Sequence, residues 1–477
     1  MTYYLILTTA LHLAILAAAT TRLTLRERIS SPARLAWFIV ILSIPVGGFA
    51  TYLLIGEKRL SRHLRARHTS LSRDAAALAS APGSSAYDQL APEDAKLFRY
   101  GTSINGFSPV GGNSATLAPD AASARAGIIA DIDAARDSVE LLYYIWLTDR
   151  TGTDTAHALI RAARRGVRCR VMADHMGSRH LIRSALWREM AAAGVETRIA
   201  LPPETIVGLP IVTRFDLRNH RKITLIDGRI AWVGSQNCAD PEFSPKARFG
   251  PWIDIMLRVQ GPVVNQIRQI FASDWCLFGP GEPGEFPAQA APVSGGFIAQ
   301  ARGTGPLERA DSSTQMFCSL FERARSELVL TTPYFVPDIP LQQALKSAAR
   351  RGVQVSLVLP RRNDSRIVQA ASRGNYILLL KAGVRIFEHG PGLLHAKTLT
   401  ADGEITFLGS SNLDMRSFDL NFENDLLIAD PGITAQVRAR QLEHLAQSQE
   451  VTLEEVFAWP ARRRAWNNVV ETLGPIL

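Results

Sequence analysis

The stretch Asn219-His220-Arg221-Lys222-Ile223-Thr224-Leu225-Ile226-Asp227-Gly228 returns in outline as Leu394-His395-Ala396-Lys397-Thr398-Leu399-Thr400-Ala401-Asp402-Gly403. Histidine, lysine and aspartate hold the same places in both copies, at a constant offset of 175 positions. The offset continues through Gly234-Ser235-Gln236-Asn237 and Gly409-Ser410-Ser411-Asn412, so the eighteen positions 220–237 match 395–412 without a gap. A block repeated in register over such a length marks an internal duplication.

Outward from the paired blocks the order of elements repeats as well. Ala162-Ala163-Arg164-Arg165-Gly166-Val167 recurs as Ala348-Ala349-Arg350-Arg351-Gly352-Val353, and Ala193-Gly194-Val195 as Ala382-Gly383-Val384. Glycine after a basic last turn is a common helix stop, so each copy reads as the end of a helix. An apolar strand precedes that helix (139–146 in one half, 328–335 in the other) and a second one follows it (169–173 and 355–359). This alternation predicts an α/β fold of two tandem repeats, mixed sheets flanked by helices.

Spacing also predicts what each block presents. Histidine and lysine two apart on a strand project to one face, and Asp-Gly is a favoured two-residue hairpin turn. A turn at Asp227-Gly228 pairs Ile226 with Arg229 and brings His220 opposite Ser235; a turn at Asp402-Gly403 brings His395 opposite Ser410. Asn237 and Asn412 lie one same-face step further on. Asp227 and Asp402 belong to the motif of His220, Lys222, His395 and Lys397, yet they fall ~17 Å from the lysines at ~3.3 Å per residue. They are read as turn or scaffold residues.

Two such sets suit a two-step displacement at phosphorus. Imidazole titrates near pH ~6.5, so one ring can attack while the other protonates the leaving oxygen. Lys222, Lys397, Asn237, Asn412 and the hydroxyls of Ser235 and Ser410 can surround a phosphate with donors, with neither metal nor cofactor required. Each imidazole needs an acceptor on its other nitrogen to fix the tautomer. Asp254, in Pro251-Trp252-Ile253-Asp254, and Glu423, in Asn421-Phe422-Glu423-Asn424, open apolar strands and are the candidates.

The chain has 477 residues and a net charge of +9, long enough for two or three domains and basic enough to seek an anionic partner. Residues 3–21 carry no formal charge, a run that spans ~28 Å as a helix and matches a hydrocarbon core. Residues 35–55 form a second uncharged run with Trp37 and Tyr52 near its ends, where amphipathic rings favour the interface. No Lys or Arg precedes the first run, which argues against a signal peptide. Arg22, Arg26, Arg28 and Arg34 lie between the runs, while Lys58, Arg59, Arg62, Arg65, Arg67 and Arg73 follow them, favouring a cytoplasmic body. The predicted organisation is a two-helix transmembrane hairpin over 1–60, a basic tether over 61–100, a first repeat over 101–290 and a second over 291–477. The apolar segment Ile206-Val207-Gly208-Leu209-Pro210-Ile211-Val212 is either a loop that dips into the bilayer or a buried strand.

These motifs, with Tyr144-Ile145-Trp146, residues 174–178, Arg218, Thr332-Pro333-Tyr334-Phe335-Val336-Pro337-Asp338 and Leu413-Asp414-Met415-Arg416-Ser417, resemble the phospholipase D superfamily and, more narrowly, the bacterial cardiolipin synthases. The resemblance covers nearly the whole chain; it departs at Gly234-Ser235, where a Gly-Gly pair is common, and after Asn113, where some of the family's glycines are missing. It implies two phospholipase D-type repeats in a bacterial inner membrane. The implied reaction transfers a phosphatidyl group from one phosphatidylglycerol to another, releasing glycerol through a phosphatidyl-histidine intermediate, without metal. By analogy His220 is the nucleophile and His395 the acid that becomes the base; the residues themselves are symmetric. A hydrolytic phospholipase D, or a phosphatidyltransferase with another alcohol acceptor, would share every one of these residues. A nuclease of the same superfamily fits the charge but not two membrane runs, so no nucleic-acid partner is expected. A non-catalytic scaffold would be expected to have lost one of the motifs.

Overall fold

A computed structural model describes residues 2–26, 29, 31–56, 62–79, 85–202 and 216–472. Two compact units divide the chain: one holds the described residues up to Arg62 together with Asp216, the other those of 63–202 and 217–472.

In the N-terminal unit the first apolar run is the helix Thr2–Thr24, of which Ile6–Thr24 is long and apolar enough to cross a membrane. The second run does not form the single helix expected of it. It breaks at Ile44 into Ser31–Ser43 and Pro45–Thr51, followed by a π-helical turn, Tyr52–Gly56. Proline lacks the N–H that would continue the helix and is tolerated only in a first turn, where Pro45 stands. Ala19, Leu23, Trp37, Ile41 and Tyr52 are buried against one another in this unit.

The large unit is α/β, with the two repeats built as expected. In the first, Ser138–Tyr143 lies between a parallel neighbour, Arg168–Asp174, and an antiparallel one, Lys222–Ile226. In the second, Glu327–Thr331 lies in the same way between Gln354–Pro360 and Thr398–Ala401. The helices Arg150–Arg164 and Ile339–Arg350 that cross between parallel strands begin at Asp149 and Asp338, whose carboxylates accept the N–H groups of Gly152 and Leu341. Each half has its own apolar core, including Leu141, Val171 and Leu159 in the first and Leu330, Leu357 and Leu345 in the second.

The halves are not separate sheets. Phe297–Thr304 pairs with Asn421–Ala429 on one side and Val110–Leu117 on the other, and Val110–Leu117 pairs in turn with Met256–Gln260. One sixteen-stranded sheet results. Fusing them satisfies the backbone donors and acceptors that two inner edges would otherwise expose.

Two further expectations are corrected. Most of the predicted tether is helical, over Arg62–Leu78 and Pro92–Asn105. Arg67 donates to the carbonyls of Cys276 and Gly279 at 2.5 and 2.7 Å, and Leu97, Phe98 and Ile104 are part of the second half's core. Apolar residues at helical spacing bury that stretch despite its charge. The run 79–86 falls partly, and the segment Ile206-Val212 wholly, outside the described residues.

The hairpins also sit one residue from the predicted register. Ile226 faces Ile230 and Ala401 faces Ile405. Asp227 and Gly228 take φ of 52° and 59°, Asp402 and Gly403 take 54° and 71°, as a type I′ turn requires. The turn bond is made, Arg229 N to Ile226 O at 2.9 Å, but Arg229 then bulges and the ladder resumes only at Ile230.

Candidate active site

Each histidine follows a two-residue strand of its own half that pairs with a strand of the other half. Arg218–Asn219 runs parallel to Asn421–Phe422, and Leu393–Leu394 runs parallel to Trp252–Ile253. His220 N donates to Phe422 O at 2.9 Å and His395 N to Ile253 O at 2.8 Å. The next residue on each partner strand is the acid, so carboxylates are exchanged between halves. His220 Nδ1 lies 2.9 Å from Glu423 Oε2, and His395 Nδ1 lies 2.6 Å from Asp254 Oδ1.

The serines complete those carboxylates rather than facing the histidines across a hairpin. Ser410 Oγ donates to Glu423 Oε2 at 2.5 Å, with Asn421 Nδ2 on Oε1 at 3.2 Å; Ser235 Oγ donates to Asp254 Oδ1 at 2.6 Å. Both lysines are buried. Lys222 Nζ donates to His220 O at 2.5 Å, and Lys397 Nζ donates to His395 O at 2.7 Å and to His395 Nε2 at 3.0 Å. His220 Nε2, by contrast, has no partner among the described residues. Asn237 and Asn412 are buried beside their motifs, and Asn237 Nδ2 and Asn412 Oδ1 are likewise unpartnered among the described residues.

Tyr144 and Trp252 complete the walls, their ring centroids 4.9 Å from that of His220 and 4.4 Å from that of His395. Neither was singled out for a role by sequence reasoning; Trp252 could have been, since it lies two residues from Asp254 on the strand that delivers it. Asp174 holds the chain entering the first motif, accepting from Asn219 N at 2.9 Å and from the N–H groups of Met176 and Gly177. Below His220, Arg221 is paired with Asp274 at 2.5 Å in the interior.

Burial sets the charge state of the site. It lowers His220 well below the ordinary histidine value and His395 to about 4, with the neighbouring lysines adding to both effects, so both rings are neutral near pH 7. The same desolvation lowers Lys222 to about 8 and Lys397 to about 7, each partly opposed by the acids. The acids differ. Burial raises Glu423 despite Lys222, whereas for Asp254 the effect of burial is outweighed by His395, Lys397 and the Ser235 hydroxyl, which hold it down to about 2.

Asp227 and Asp402 take no part in this cluster and occupy the turns at the opposite ends of their hairpins. Asp227 accepts the N–H groups of Arg136, Asp137 and Ser138; Asp402 accepts those of Arg325, Ser326 and Glu327, together with the Arg323 guanidinium at 2.7 Å. Each clamps the turn to the start of its half's central strand. Replacing Asp402 by alanine strands several donors and is expected to cost about 2–4 kcal/mol of stability. Denaturant unfolding should show that loss, with residual turnover per folded molecule close to that of the parent.

The fold and this exchange of carboxylates define a protein of the phospholipase D class. The family model described as "Cardiolipin synthase, PLD-like domain" matches residues 128–275 and 317–445, and a "Phospholipase_D-nuclease N-terminal" model matches 13–57. The chain belongs to the cardiolipin synthase, PLD-like family. It is 36% identical over 472 residues to cardiolipin synthase A of Serratia proteamaculans, covering 96% of this chain and 95% of the relative. It is 35% identical to cardiolipin synthase A of Proteus mirabilis, covering 97% and 96%. Among solved structures, a phosphatidylserine synthase of Haemophilus influenzae shares the fold at 15% identity, with a TM-score of 0.56 over 76% of this chain and 95% of that one.

Proposed function

We propose that the chain is a cardiolipin synthase that moves a phosphatidyl group from one phosphatidylglycerol to the hydroxyl of another. The observation that carries this reading is the pair of buried imidazoles, each held on Nδ1 by the other half's carboxylate and accompanied by a buried lysine. Fixing the proton on Nδ1 leaves the Nε2 lone pair for chemistry. His220 Nε2 is open while His395 Nε2 is occupied by Lys397, which favours His220 as nucleophile.

In the first step His395 is protonated on Nε2 in the substrate complex, His220 Nε2 bonds to phosphorus, the bond from phosphorus to the glycerol oxygen breaks, and that oxygen takes the Nε2 proton of His395. In the second the acceptor hydroxyl returns a proton to His395, its oxygen bonds to phosphorus and the bond to His220 breaks. The entering phosphodiester brings negative charge between the two lysines, which raises the proton affinity of His395 and so supports its acid role. Lys222, Lys397, Asn237 and Asn412 are assigned to hold the non-bridging oxygens.

Two limbs of a pH profile follow. Neutral His220 is required, and a lowered pKa keeps it neutral below pH 6.5, so the acid limb lies well under that value. Charged lysines are also required, so the rate is expected to fall as pH rises through about 7 to 8. A transfer rate still climbing at pH 9 would remove the lysines from the charged inventory.

The body is read as cytoplasmic and the chain as an integral, multi-pass protein of a bacterial inner membrane, resting on the helix Ile6–Thr24 and the apolar run after it. Retention in the pellet after alkaline carbonate washing is the expected outcome; release would make attachment peripheral.

The deciding experiment incubates the detergent-solubilised protein with phosphatidylglycerol alone and follows lipids and free glycerol by mass spectrometry. Cardiolipin with equimolar glycerol supports the synthase. Phosphatidic acid as sole product would mean that water is the acceptor.

A further inference from the structure

A cavity of about 300 Å³ is walled mostly by arginine: Arg361, Arg362, Arg366 and Arg373 from the second half, and Arg248, with Phe249, from the first. Its position follows from the topology. Arg361 comes directly after the strand Gln354–Pro360, at the carboxyl ends of the parallel strands. Thr398 faces Thr331 at that same end, so His395, three residues earlier, lies on the same rim. Ligands of open α/β sheets collect along such a rim. The opposite wall, Arg248 and Phe249, immediately precedes the turn into Trp252, the residue packed on His395.

Among the described residues, one of the five arginines in this cavity is paired with an acid: Glu388 takes Arg373 at 3.0 Å and also the Tyr376 hydroxyl, while Asp364 takes Lys246 at 2.6 Å and the Tyr334 hydroxyl. Among the described residues, Arg248, Arg361, Arg362 and Arg366 have no carboxylate within ion-pair distance. Guanidiniums lining one cavity of this size repel one another unless an anion joins them, and their planar forks match phosphate oxygens in pairs. The surroundings are apolar where a lipid would need them to be. The helix Arg366–Gly374 leaves Ile367 half exposed and packs on the helix Ala461–Thr472, which turns Trp466 and Val469 outward, each 57% exposed.

We propose that this arginine cavity holds the phosphodiester of the acceptor lipid, so that the second substrate is selected for being an anionic phospholipid. The inference rests on the reading of the histidine pair as a phosphatidyltransferase site. It explains how such a site favours a lipid hydroxyl over water or a small alcohol: the acceptor is held by its charge, and its free hydroxyl is carried along the rim to His395.

The test offers two acceptors at once, phosphatidylglycerol in mixed micelles and ethanol in the aqueous phase, and reads the ratio of cardiolipin to phosphatidylethanol. In the double substitution Arg361→Gln, Arg366→Gln the ratio is expected to fall at least tenfold, with lysine at both positions restoring part of it and the melting temperature unchanged. A second arm adds inorganic phosphate to the parent protein, which should depress cardiolipin more than phosphatidylethanol; a phosphate effect without any effect of the double substitution would mean a free anion at the histidines and overturn the proposal. An unchanged ratio, or an equal fall in both products, would overturn it too. Absence of both products from the parent protein would instead sink the transferase reading beneath it.

Discussion

Glu423→Gln lowers phosphatidyl transfer by roughly 10³-fold while the fold and melting behaviour stay close to those of the parent. The carboxylate accepts from His220 Nδ1, from the Ser410 hydroxyl and from Asn421, with no exposure to solvent. Glutamine fills the same volume and keeps an oxygen for one of these donors. Its amide nitrogen, however, donates, and an imidazole facing a donor moves its proton to Nε2, where the attacking lone pair was. The imidazolium character that grows as His220 Nε2 bonds to phosphorus also loses its counter-charge. Both losses fall on the rate constant and leave substrate binding nearly untouched. A variant with normal kcat would remove Glu423 from the site.

His395→Asn separates the two chemical steps. With phosphatidylglycerol the leaving alkoxide needs a proton, so turnover is expected to drop by about 10²–10⁴. With a phosphatidyl ester of a nitrophenol, whose anion leaves unprotonated, the first step recovers and the second does not, because no base deprotonates the acceptor. The protein should then carry the phosphatidyl group on His220, visible as a mass increment on the tryptic peptide that holds it. His220→Asn should give no such adduct. An adduct on His395 in that second variant would reverse the assignment, which rests on the open Nε2 of His220 and the Lys397 contact at 3.0 Å on the other ring.

Much of this was legible in the sequence because it repeats. The ungapped match of 220–237 to 395–412 identifies both histidines, both lysines, the serines and the asparagines, all of which are buried in the structure. Strand and helix order followed from apolar runs ended by Arg-Arg-Gly-Val. What spacing could not carry was partnership over distance. Local register placed Ser235 beside His220, but Ser235 bonds to Asp254 and so serves His395. A hairpin rule speaks only of residues a few positions apart, and a bulge at Arg229 was enough to shift it by one. The break at Pro45 was readable in principle, since proline cannot continue a helix from inside, yet an uninterrupted apolar run of the right length concealed it. The helix Pro92–Asn105 was hidden for the opposite reason: Glu93, Asp94, Lys96 and Arg99 made a buried segment look like tether.

The exchange of carboxylates has a consequence in time. His220 and Glu423 are separated by 203 residues of chain, and a ribosome adding roughly 5–20 residues per second takes about ten to forty seconds between them. Throughout that interval the first repeat can fold, yet its histidine has no acid to orient it. A nascent chain is therefore chemically silent until almost all of it has been made, and a chain truncated before residue 423 stays silent for good.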